Sequence, residues 1–157
     1  MRNVVLVLIL SLFCVVYGVP FTGGLNGPCT ATPIYGPYSE TPVVAYGNSS
    51  NSEPNNSTSP ICGNIDQTYN VWYTVESINK GHPIVLRCHS SDFQPVISAY
   101  NGDCNALTCL SHISSPVDYA ILAFYPGVSG IGYVSVGGQG GANGAFELSI
   151  TQNPNCC

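Results

Sequence analysis

The sequence predicts an all-β chain: a single domain folded as a jelly-roll-like antiparallel β-sandwich and stapled by disulfides. Three observations carry this reading. Short runs rich in β-branched and aromatic residues recur along the chain, spaced by about 8–12 residues. The 157 residues include 17 Gly and 12 Pro, which punctuate the chain too often for a long helix. Eight Cys supply covalent ties of the kind exported domains use.

The elements follow in order. Residues 31–35 and 42–46 read as short strands, and the polar run GNSSNSEPNNSTSP after them reads as an exposed loop. Residues 69–77 (YNVWYTVES) combine β-branched and aromatic side chains and read as a strand around Trp72. Residues 79–82 form a turn, and strands follow at 83–89 and 94–100. Asn101-Gly102 is the strongest turn dipeptide and closes a hairpin onto 107–112. Strands at 119–125 and 130–137 come next, and GGQGGANG reads as a hairpin loop. In the last strand, 145–151, Phe146, Leu148 and Ile150 alternate with Glu147, Ser149 and Thr151, the period of a half-buried strand. Trp72 is expected in the core.

The chain begins MRNVVLVLILSLFCVVYGVP, one Arg before an apolar run and then a small residue. This is the pattern of a secretory signal peptide over residues 1–18. Residues 19–30 read as a flexible leader, 31–151 as the sandwich and 152–157 as a Cys-containing tail. The expected product is secreted, with no membrane span after signal cleavage. Asn48, Asn55 and Asn56 begin N-x-[ST] sequons and are the candidate glycosylation sites.

Cys14 lies in the signal segment, which leaves seven cysteines. Cys104 and Cys109 flank a short connection and are expected to bridge it. Cys29, Cys62 and Cys88 compete for one further bridge, with Cys29–Cys62 the chosen pair. Adjacent cysteines strain the ring they would close, so Cys156 and Cys157 seek separate partners. One partner is Cys88 and the other tail thiol stays free or capped; the alternative is a cross-link to a second chain.

Charged residues make up 7% of the chain. Beyond residue 18 the strong cations are Lys80 and Arg87. Nucleic-acid binding needs a basic footprint against phosphate, so that class is excluded. No C-x2-C pair is present and three His are scattered, so no zinc and no other cofactor is expected.

The order of motifs NVWYTV, IVLRCHSSDFQPVISAYNGDCNALTCL and YVSVGGQGGANGAFELSIT resembles the bacterial pre-peptidase C-terminal domain family. The matching positions are Trp72, Tyr73, Cys88, Phe93, Tyr100, Gly102, Cys104, Cys109, Tyr133, Val136, Gly137, Gly144, Phe146 and Leu148. The resemblance implies a secreted jelly-roll sandwich serving as a non-catalytic accessory module. It also implies packing roles for Tyr100 and Tyr133. The chain departs from the family at Phe93-Gln94-Pro95 and at SHISS, where carboxylates are missing. Hard cations need such ligands, so a calcium site of the family type is not expected.

Catalytic patterns are incomplete. His89-Ser90-Ser91-Asp92 is a local cluster, whereas triads are assembled from distant segments, and a capped turn is the expected role. G-V-S-G-I lacks the second Gly of G-x-S-x-G. Tyr35, Tyr38 and Tyr46 are the candidates for an exposed aromatic surface. The expected function is a secreted, non-catalytic structural or adhesive protein that self-assembles. The alternative is a carbohydrate-binding module, and the third option is a small secreted hydrolase. The expected partners are therefore further copies of the chain or extracellular glycans.

Overall fold

The computed structural model describes residues 19–20, 27–36, 38, 41–52, 62–63, 69–77 and 81–152. The signal segment, the sequons at Asn55 and Asn56, and the tail cysteines Cys156 and Cys157 lie outside the described residues.

Ten strands run in chain order: β1 (Val19–Pro20), β2 (Thr32–Ile34), β3 (Val43–Asn48), β4 (Asn70–Glu76), β5 (Ile84–His89), β6 (Pro95–Asp103), β7 (Ala106–Ser114), β8 (Tyr119–Phe124), β9 (Ile131–Gly138) and β10 (Ala145–Gln152). Among the described residues the helical segments are 3-10 turns of three residues each. The first sheet has the order β1-β3-β10-β5-β8 and the second β2-β4-β9-β6-β7. From β3 onward each sheet is antiparallel, and the chain passes between sheets in jelly-roll order. The purely antiparallel expectation is corrected at two margins, where β1 and β2 pair parallel with β3 and β4. Val19 therefore lies beside Ala45, so the start of the expected leader is a paired strand.

Strand alternation builds the core. Phe146, Leu148 and Ile150 of β10 face Val71, Tyr73 and Val75 of β4 and Val134 and Val136 of β9, all buried. Phe146 is the hub: Tyr73 and Phe93 meet its ring edge-on at centroid distances of 6.4 and 6.2 Å. Such tilted pairs suit the ring quadrupole. Gly47 passes directly beneath the Phe146 ring and the Tyr73 hydroxyl, where a Cβ would collide with both.

Two turn expectations change. Asn101 and Gly102 lie within β6, and the turn is Cys104-Asn105, between the paired residues Asp103 and Ala106. Gly102 has φ +105°, so it adapts the strand end next to the turn; it is not the turn itself. The glycine-rich run after β9 is a crossover from the second sheet to the first, not a hairpin loop. Trp72 is buried as expected, but on the outer side of the second sheet, away from the intersheet core.

Truncating Leu148 to Ala is expected to cost about 2–5 kcal/mol, the range for fully buried Leu. Ser149→Ala, one residue on and facing outward, should stay within about 0.5 kcal/mol. Denaturant midpoints with unchanged slopes would check both.

Candidate functional surface

The two outer faces of the sandwich differ in what covers them. On the second sheet, Trp72 and Tyr100 stack at a centroid distance of 5.2 Å. Cys62 closes over them, with Ala31, Leu107 and Tyr133 packed alongside. This places Tyr100 and Tyr133 in packing roles. Two disulfides pin the cover. Cys29–Cys104 ties the segment before β2 to the tip of the β6–β7 hairpin, with Cα atoms 4.8 Å apart. Cys62–Cys109 ties the segment before β4 to the outer side of β7, at 5.3 Å. His112 lies over Gly63, where any Cβ would strike the imidazole.

These pairings replace the expected Cys104–Cys109 and Cys29–Cys62 bridges. Cys104 is at the turn, whereas the residue opposite Cys109 is Tyr100. Cys109 lies three steps along the strand from Ala106, roughly 10 Å at the usual rise, which exceeds disulfide reach. Cys88 is likewise corrected. It is a free thiol in the intersheet core, facing inward from β5. Burial pushes its pKa from 9.0 up to about 12, and the Glu147 charge adds to the shift, so the thiol stays protonated and inert.

The His89–Asp92 cluster is structural. The Ser90 hydroxyl accepts from the Asp92 and Phe93 N–H groups and donates to the Ala145 carbonyl. The Asp92 carboxylate accepts from the Ala145 N–H at 2.8 Å. His89 contacts the Asp118 carboxylate at 3.5 Å, and the Ser90 N–H donates to the Asp118 carbonyl at 2.9 Å. A hollow of about 430 Å³ opens at one end of the sandwich, lined by Ser77, His82, Tyr125, Pro126 and Val128 among others. His82 Nδ1 is buried without a hydrogen-bond partner among the described residues.

The outer face of the first sheet carries no such cover among the described residues. Its register sets Tyr46, Glu147, His89 and Tyr119 in one row across β3, β10, β5 and β8. Val44, Ser149, Arg87 and Ile121 form the row beside it. Arg87 donates to the Thr151 hydroxyl at 3.1 Å. Of the three tyrosines expected at an exposed surface, Tyr46 lies on this face, and Tyr35 is exposed on the segment after β2. Tyr38 is corrected: it is buried in the core, its hydroxyl donates to the Ile34 carbonyl, and burial pushes its pKa up to about 12. Asn48 is exposed at the end of β3, its side-chain oxygen accepting from Ser50 N–H at 2.8 Å.

The edges are also unequal. β1 and β2 are short and each contains a proline. On the opposite side β7 and β8 lie side by side and end their sheets. Neither contains Pro, Lys, Arg, Asp or Glu. Leu110, Val117, Tyr119 and Ile121 are exposed large apolar residues on this side. No local pattern marks this side in the sequence, because edge position depends on sheet order. No family model matches the chain, and no curated protein matches it significantly.

Removing the second bridge by Cys62→Ser with Cys109→Ser should lift the cover from Trp72, the only tryptophan. The expected readouts are red-shifted emission and a loss of about 2–5 kcal/mol; peptide mapping without reductant should recover the two pairs described. The shift at Cys88 sets a pH window. A folded pKa above the unfolded one stabilises fully below the unfolded value and is lost as pH rises. Stability should therefore hold to pH 9 and fall toward about 12. Cys88→Ala should make that decline shallower in pH-dependent unfolding.

Proposed function

We propose that the protein is an exported, non-catalytic structural and adhesive sandwich whose copies associate through the β7–β8 side. The observation that carries this reading is the edge asymmetry. Free edges present unpaired N–H and C=O groups, and soluble proteins blunt them with Pro, Lys, short strands or cover. Here the β1 and β2 margins are blunted, whereas β8 offers the uncharged run YAILAF. The alternation of β8 permits a two-fold antiparallel pairing centred on Ile121. Tyr119 then lies opposite Ala123 of the second copy and Ala120 opposite Leu122, which keeps inward residues inward. Low charge supports the reading, since little repulsion opposes association.

Export is supported by the apolar start of the chain and by the two disulfides, which persist in oxidising compartments. Accessory-module character is supported by the resemblance to the pre-peptidase C-terminal domain. Cross-links through Cys156 or Cys157 would add a covalent layer to the strand pairing.

Light scattering across a concentration series, with and without reductant, tests this function. The native chain should form dimers or larger species that persist under mild reduction. Ile121→Lys places a charge on the exposed edge and should leave a folded monomer. A native chain that stays monomeric at every concentration would remove the proposal.

A further inference from the structure

We propose that the open face of the first sheet is a binding platform for an uncharged, extended polysaccharide chain, with Tyr46 and Tyr119 as its two stacking surfaces. The two tyrosines are exposed, at 46% and 38%. They occupy opposite ends of one cross-strand row, with exposed Glu147 and His89 between them. Three strand spacings separate them, roughly 14 Å. A ligand that meets both rings must therefore be extended and must repeat its apolar patches over that distance. Sugar rings linked in a chain do so, because each presents a C–H face to stack and hydroxyls at its rim. Glu147 accepts such hydroxyls, and Arg87 and His89 donate to them.

The other polymers fit less well. An extended peptide bound to a sheet gains most from main-chain hydrogen bonds. On this face the backbone groups of β10 and β5 are engaged with strands on both sides. A polyanion would meet one arginine beside Glu147 and Asp118, too little positive charge for phosphate or sulfate. The face is flat, so a small ligand would have few contacts, whereas a long chain adds them side by side.

The probes are soluble mixed-linkage β-glucan, xylan and galactomannan cast into native gels, with cellulose and chitin for pull-down. At least one should retard or retain the intact protein. Tyr46→Ala and Tyr119→Ala should each weaken that binding by about tenfold, equivalent to about 1.4 kcal/mol. Both side chains face solvent, so thermal unfolding should be unchanged. Tyr35→Ala, exposed elsewhere, should bind as the native chain does, and Glu147→Ala should bind more weakly. Binding should persist at concentrations where light scattering shows a monomer, which separates this site from strand association. Retention by none of the five polysaccharides would overturn the proposal. So would retention that survives replacement of both Tyr46 and Tyr119, or retention by peptide-coated resin alone.

Discussion

Covalent ties to one hairpin decide which parts of this sandwich are surface. A two-sheet fold has two outer faces, and each must be wetted or covered. Cys29 and Cys62 reach the β6–β7 hairpin from two separate segments, and the segments they anchor close over Trp72 and Tyr100. The second sheet thereby gains a small outer core. Among the described residues the first sheet has no cysteine on its outer side, because Cys88 points inward among Leu86, Leu148 and their neighbours. The same residue type thus builds a cover on one side and fills the interior on the other. Strand parity makes the difference.

The cover has a consequence for the edges. Both bridges end on or beside β7, so they hold the hairpin rigid from its outer side. Among the described residues no strand pairs with the outer edge of β7 or of β8. Charge cannot protect those edges, since the strands carry no Lys, Arg, Asp or Glu. A chain with so few ionisable groups places the remainder selectively. Arg87, His89 and Glu147 all stand on the open face of the first sheet, in adjacent rows. Ile121 shares a cross-strand row with Arg87, at the strand where this sheet ends.

The strands were legible because alternation is local. In β10, Phe146, Leu148 and Ile150 point inward as their spacing requires, and the predicted run ends within one residue of the observed one. The bridges were not legible, because they depend on register. Cys104 and Cys109 are close in sequence, yet Tyr100 is the residue that faces Cys109. The tyrosines show the same limit. Tyr35 and Tyr38 are three residues apart in a region with no periodicity, and only the packed structure separates an exposed ring from a buried one. The aromatic row was beyond sequence reasoning for a further reason. Tyr46 and Tyr119 are brought together by two intervening strands from other parts of the chain, and Tyr119 had no local feature to mark it.

Edge pairing and the open face bear on each other through geometry. Joining β8 to β8 extends the first sheet without covering its outer side, so two aromatic rows come to lie on one continuous surface. A single flat row makes few contacts with a sugar chain, and its affinity is correspondingly modest. Two rows held rigidly together turn the second contact into an intramolecular event, with gains that reach about 10²–10⁴ where the spacing suits the ligand. The unprotected edge is a liability in an isolated module and an advantage in an adhesive one. In the proposed array, the absence of charge on β8 would serve the pairing of copies, and the tyrosines at the two ends of the cross-strand row would serve the hold on the sugar chain.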